Sequence, residues 1–227
     1  IMEVADRIFV ATDIEKEEIP KQWREKTKVV GLGIEKFDET IRKRKQNNEP
    51  FTFIFIGRLA SKKRIDVALR SLQLATELSK KPIRLIVCGD GHKSIVNLVN
   101  TYQETSGLFR VDYRGWVNGL EKKKLLGSAD CLILTSEDEN FAIAVAEGLS
   151  FGLPALISNK VGLSSLVRKY SAGRVIDSLD IQMIAQEAIK IMDSNILDLS
   201  RNAKKASQEL KWEVVINSWI KEISKCI

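Results

Sequence analysis

The chain has 227 residues, 44% of them hydrophobic and 29% charged, enough to bury one good core. No apolar run approaches the roughly 20 residues that span a bilayer, which excludes a transmembrane helix, and no basic-then-apolar leader opens the chain. The formal net charge of +6 favours a polyanionic partner, but no aromatic-rich basic stretch suits stacking on single-stranded nucleic acid. Cys88, Cys131 and Cys226 lack paired spacing, so neither a zinc site nor a disulfide framework is expected, and a reducing, cytoplasmic setting is.

Residues 5–12 predict a short strand, and Asp13 predicts the cap of a helix over 13–18. A second strand over 28–34 ends in the glycine turn Gly31-Leu32-Gly33. Residues 39–50 are polar and predict a surface connection. From residue 51 a regular rhythm begins. Buried-type strands are predicted over 51–56, 83–88, 109–113, 131–135, 155–158 and 173–176. Helices are predicted between them over 65–78, 93–104, 120–126, 141–150 and 163–169, and three more over 181–192, 197–210 and 212–224 close the chain. Apolar strands alternating with helices indicate an α/β fold, a Rossmann-like doubly wound parallel sheet flanked by helices. The basic runs Arg42-Lys43-Arg44-Lys45 and Lys122-Lys123-Lys124 read as solvated faces.

Chemistry concentrates in the run from Ser136 to Pro154. Glu139 ends an acidic loop and Glu147 lies eight positions on, in an Ala-rich segment. On a helix they would stand about 12 Å apart along the axis. That suits two ends of one elongated polar ligand and exceeds the roughly 5 to 9.5 Å of a hydrolase carboxylate pair. A helix start at Asn140 and Phe141 would offer backbone N–H groups to a phosphate. The strand, acidic loop, helix and following strand form a βαβ unit, and ligands of such sheets bind beyond the carboxyl ends of strands. Gly57-Arg58 ends another strand, where a guanidinium suits a diphosphate, and Lys63 adds a mobile charge. Gly89-Asp90-Gly91 is a turn sequence. Trp116 fits either a place beside a nucleobase or the core. His92, the one histidine, has no nucleophile neighbour. Glu137-Asp138-Glu139 is an incomplete metal ligand set.

The E-x7-E run resembles the signature of retaining glycosyltransferases of the GT-B fold, family 4, in the glycosyl transferases group 1 family. Gly57-Arg58-Leu59-Ala60-Ser61-Lys62-Lys63-Arg64-Ile65-Asp66 resembles that family's G-R-L-x-x-x-K-G-x-D loop. Val87-Cys88-Gly89-Asp90-Gly91 resembles its V-x-G-D-G strand end, and Val111 to Val117 its strand and G-x-V turn. Four motifs in family order cover residues 50–225. The chain departs at Gly31-Leu32-Gly33, where Pro-Asn-Gly is usual, at Arg64, where a glycine is common, and at Glu139-Asn140-Phe141-Ala142, where the family commonly has E-G-F-G. Ala142 lacks the freedom of glycine, which implies a tighter turn or a different donor.

The resemblance implies the donor-binding half of a transferase that moves a sugar from a UDP- or GDP-linked nucleotide sugar to a glycan, lipid-linked or small-molecule acceptor. Residues 1–49 would be the end of an N-terminal domain and its connection, and residues 50–227 the nucleotide-sugar-binding domain. The rest of the N-terminal domain would be missing, leaving the chain alone with little activity. Arg58 and Lys63 would hold the diphosphate and stabilise the leaving group. Glu147 would accept hydrogen bonds from both ribose hydroxyls, as a carboxylate can. Glu139 would touch the transferred sugar, and the N–H groups of Asn140 and Phe141 the distal phosphate. Gly57, Gly91, Trp116 and Ala142 complete the implied donor site. No cofactor or metal is implied, and lipid-linked acceptors would bring a peripheral contact with the inner face of the membrane. Two alternatives stand beside this one: a non-catalytic sugar-nucleotide-binding module or partner subunit, and a basic nucleic-acid-associated protein.

Overall fold

The computed structural model describes residues 1–35, 49–103 and 107–225. The connection predicted over 39–50 falls mostly outside them, as do the Arg42–Lys45 run, the helix end at residue 104 and Cys226.

Two short strands open the fold, β1 (Ile8–Val10) and β2 (Thr27–Val29), paired in parallel with Ile8 opposite Thr27. Helix α1 (Asp13–Glu18) lies between them. Its cap is Thr12, not Asp13. Thr12 has extended backbone and its Oγ1 accepts the N–H of Glu15 at 3.3 Å. The sequence Thr-x-x-Glu is that of a capping box, and Glu15 Oε2 accepts the N–H of Ala11 at 2.6 Å.

The main sheet has six parallel strands: β3 (Phe51–Ile56), β4 (Ile83–Cys88), β5 (Phe109–Gly115), β6 (Cys131–Leu134), β7 (Ala155–Ser158) and β8 (Gly173–Ile176), in the order β5-β4-β3-β6-β7-β8. Phe53, Ile54 and Phe55 are fully buried in central β3, which accounts for its unbroken apolar run. Thr52 N donates to Asp130 Oδ2 and Asp130 N to Thr52 O, both at 2.7 Å, so the polar residue just before β6 is anchored to β3.

Helices α2 (Ile65–Ser79), α3 (Lys93–Gln103), α4 (Gly119–Ser128), α5 (Ile143–Ser150) and α6 (Ser164–Tyr170) make the crossovers. Three more follow: α7 (Ile181–Asp193), α8 (Ile196–Ser207) and α9 (Trp212–Ile223). Helix α2 packs against α3 and α7, while α5 and α6 pack against α8. With right-handed crossovers, a strand order that reverses at β3 puts these two groups on opposite faces. Residues 208–210, predicted as part of a helix, form a short 3-10 turn.

Helix α9 turns back onto the N-terminal segment. Trp219 meets Phe9 with ring centroids 5.3 Å apart. Ile34 N donates to Leu210 O at 2.8 Å, and a Cβ on Gly33 would lie 2.3 Å from the Trp212 ring, so only glycine lets that indole in. Among the described residues, no helix is long and apolar enough to cross a membrane. Cys88 and Cys131 are buried, and burial pushes the Cys88 thiol up to about 12.

Candidate functional site

Strand order reverses between β4-β3 and β6-β7, so the crevice beyond the carboxyl ends of β3 and β6 is the topological switch point. Two loops flank it. After β3 come Gly57, Arg58 and the buried Leu59, then a 3-10 turn, Ser61–Lys63, and α2. After β6 comes the acidic run ending at Glu139.

Three consecutive cations on the first loop meet three consecutive acids on the second. Lys62 Nζ lies 3.2 Å from Asp138 Oδ2, Lys63 pairs with Glu139, and Arg64 Nη1 lies 2.5 Å from Glu137 Oε1. The backbone joins in, with Glu137 N donating to Lys62 O at 2.8 Å and Thr135 Oγ1 to Arg64 O at 2.8 Å. The pairs differ in shelter. The Lys62 and Asp138 side chains are 55% and 54% exposed, those of Lys63 and Glu139 13% and 20%. Solvent screening weakens the first and much less the second. Burial pulls the Lys63 ammonium down to about 8; the charge of Lys62 adds to this, Asp138 opposes it, and nearby Arg58 depresses it further. Glu139 is fixed from the far side by its backbone, its N–H donating to Lys160 O at 3.1 Å and its carbonyl accepting from Gly162 N at 2.8 Å.

The helix predicted to start at Asn140 or Phe141 starts at Ile143. Ala142 precedes it with φ 66° and ψ 68°, a left-handed conformation that breaks the helix upstream. Arg64, which also stands where the resembled motif has glycine, is left-handed too, at φ 47° and ψ 43°, whereas Asn140, at the first glycine of E-G-F-G, is not. Both loops thus keep a backbone shape suited to glycine while carrying a side chain. Phe141 and Ala142 are buried. Asn140 is exposed, and its Nδ2 donates to Glu15 Oε1 at 3.1 Å, tying the acidic loop to α1.

Glu147 is 9% exposed, in the buried stretch of α5 from Val145 to Leu149. Its Oε1 accepts from Lys122 Nζ at 2.6 Å. With Phe141, Ile143, Leu32, Ile34 and Trp212 it lines a cavity of about 390 Å³. Neither Arg58, Lys63 nor Glu139 lines that cavity, so the expected single groove is not formed by these residues: the Lys63–Glu139 pair stands outside the apolar hollow that Glu147 lines. Arg58 is exposed, on the Lys63 side. Gly57 N donates to Cys88 O at 3.0 Å, and a Cβ on Gly91 would lie 2.3 Å from Leu59 O. Gly91 therefore lets the loops after β3 and β4 lie side by side, as does Gly89, whose Cβ would lie 1.9 Å from Gly57 O, whereas a Cβ on Gly57 itself would meet nothing closer than 3.9 Å. Trp116 is 78% exposed on the loop after β5 and is not part of the core. His92 is exposed, and contrary to expectation it has a hydroxyl neighbour, with Nδ1 3.2 Å from Ser94 Oγ. Among the described residues, no group of three His, Cys, Asp or Glu side chains could hold a metal ion.

Lys122 was hidden in the run Lys122-Lys123-Lys124. The signal was helical period: Lys122 stands one turn before the fully buried Leu126, so it shares the inward stripe, while Lys123 and Lys124 are exposed.

A sequence model of the family described as glycosyl transferases group 1 matches residues 36–210. The chain belongs to that family. A relative from Escherichia coli, UDP-Gal:alpha-D-GlcNAc-diphosphoundecaprenol alpha-1,3-galactosyltransferase, is 27% identical over 186 residues, covering 77% of this chain and 47% of the relative. Among solved GT-B structures, a point mutant of S. aureus TarM in complex with fondaparinux, alpha-GlcNAc-glycerol and UDP superposes with TM-score 0.78 at 16% identity, covering 97% of this chain and 44% of that one. The apo lipopolysaccharide outer core galactosyltransferase WaaB superposes with TM-score 0.78 at 17% identity, covering 98% and 63%. This group 1 chain spans about half the length of the curated relatives it matches. Its fold is that of one half of a GT-B transferase.

Proposed function

We propose that this chain is the nucleotide-sugar-binding half of a retaining glycosyltransferase of family 4, which moves a hexose from a nucleoside diphosphate sugar to an acceptor held by a further domain. The observation that carries it is the convergence of Lys63 and Glu139 at the switch point, with Glu147 further along α5 facing a hollow.

In this reading the diphosphate enters the charged crevice and takes the Lys63 ammonium, with Arg58 free to swing in from solvent. Both cations oppose the negative charge that grows on the leaving phosphate as the sugar–oxygen bond breaks. Glu139, once released from Lys63, accepts hydrogen bonds from the sugar's hydroxyls. The N–H groups of Asn140 and Phe141, on the turn before α5, meet the distal phosphate, where the positive end of the helix dipole helps. The ribose lies against Glu147, and the apolar hollow beside it keeps water from that contact. Residues 1–35, packed on α9, belong with the preceding domain and its crossover. UDP is the favoured nucleotide because the compared proteins are named with UDP-Gal and UDP, and GDP is the alternative. An acceptor carried on a lipid would place the protein at the inner face of a membrane. The exposed Trp116 and Leu120 beside Lys123 and Lys124 supply a surface for that contact.

Calorimetric titration with UDP, GDP and ADP tests the donor site. One of the three should bind saturably, and Glu147→Ala should weaken it at least tenfold, the scale of a charge-assisted hydrogen bond. No binding by any, or an unchanged affinity in Glu147→Ala, would overturn the reading.

A further inference from the structure

Of the two carboxylates at the candidate site, Glu147 has a partner that no motif accounts for. Lys122 reaches it from α4, the crossover from edge strand β5 to β6, which packs on β3. The contact is 2.6 Å, with side-chain exposures of 26% for Lys122 and 11% for Glu147. Lys122 is absent from the lining of the hollow that Glu147 faces, so it grips the carboxylate from behind.

A carboxylate offers about four acceptor positions, and one ammonium hydrogen takes one, on Oε1. The remaining positions suffice for two hydroxyl donors. A ligand seated in the hollow would strip the last water from Glu147, and a carboxylate so desolvated needs a counter-charge to stay ionised. Lys122 supplies it without occupying ligand space. It also fixes the carboxylate's rotamer, since a Glu with an anchored oxygen loses little further freedom when a diol binds.

We propose that Lys122 is a positioning residue for ribose recognition, acting through Glu147 to make the site discriminate ribonucleotides from their 2′-deoxy counterparts. The proposal rests on the donor-site reading above. It assigns to an α4 lysine the task of holding Glu147 charged and oriented.

The test is calorimetry on the full chain with UDP and GDP and with 2′-deoxy-UDP and 2′-deoxy-GDP. The wild type should prefer the ribonucleotide. Lys122→Met should weaken ribonucleotide binding roughly tenfold and the deoxynucleotide, which keeps only its 3′-hydroxyl on Glu147, by less, so that the preference shrinks. Lys122→Arg, which keeps a cationic donor, should retain most of it. Adding Glu147→Gln to Lys122→Met should cost little more, because the two act as one unit. Thermal melts establish folding first. If Lys122→Met does not fold, Lys122→Gln, too short and uncharged, takes its place with the same expected loss of preference. A substituted protein that keeps the full ribose preference would overturn this inference and leave the donor site standing. A wild type that binds neither UDP nor GDP would overturn the donor site, and this inference with it.

Discussion

Arg64 and Ala142 hold the same left-handed backbone conformation, one on each loop flanking the switch point, at φ 47° and φ 66°. An L-residue there costs roughly 1 kcal/mol or more, because its Cβ crowds the following carbonyl. Ala142 makes the cleaner test, since its side chain is a single methyl. Ala142→Gly should raise stability by about 0.5 to 1 kcal/mol, less than the full relief because glycine also loosens the unfolded chain. Urea unfolding should show a higher midpoint at unchanged slope. Arg64→Gly should gain nothing, since it also removes the ion pairs to Asp66 and Glu137.

Lys63 titrates near 8 in the folded chain against 10.5 for an ordinary lysine, with burial as the main cause. Between those values the unfolded chain binds more protons than the folded one, so this group's contribution to stability rises as pH climbs from 8 to 10.5 and is flat below 8. Diphosphate binding has the opposite sign, because the anion favours the charged lysine. Affinity for UDP should therefore fall as pH rises above about 8, with a limiting slope of about tenfold per unit. Lys63→Arg stays charged and should bind with a flat profile from about pH 7 to 9. A wild-type affinity that does not change over that window would remove Lys63 from the diphosphate contact.

Gly162 sits where a Cβ would lie 1.6 Å from Asn140 O and 2.7 Å from the Thr12 side chain. The nearest obstacle is backbone, which cannot rotate away. Gly162→Ala should cost about 3 kcal/mol and push the acidic loop outward, measured as a lower melting temperature together with weaker nucleotide binding.

Glu15 serves both the start of α1, through Ala11 N, and the acidic loop, through Asn140 Nδ2. Glu15→Ala should destabilise the chain by about 1 to 2 kcal/mol. Amide hydrogen exchange should speed up around residues 11–15 and at the 139–142 loop together. An effect confined to the first segment would show that the tie carries no load.

The sheet was legible because its strands are continuous apolar runs, which a parallel sheet covered on both faces demands. Strand β3 has the predicted bounds, Phe51–Ile56. The start of α5 was not, because alanine is the best helix former and Ala142 adopts a conformation that its own chemistry disfavours. Tertiary contacts impose it, among them the backbone bonds of Glu139 to Lys160 and Gly162. Glu139 on the loop and Glu147 on the helix are placed as the sequence implies, but the spacing of about 12 Å applied helical rise to all eight steps and α5 begins only at Ile143. Thr12 lost the cap assignment to Asp13 although the Thr-x-x-Glu pattern was present. The clasp between residues 62–64 and 137–139 joins loops more than seventy positions apart, and no local pattern announces it.

In the proposed donor site, a diphosphate that takes the Lys63 ammonium must part it from Glu139, whose buried Oε2 accepts no hydrogen bond among the described residues. On that reading, re-pairing of the two side chains would compete with a spent ligand and work against its retention.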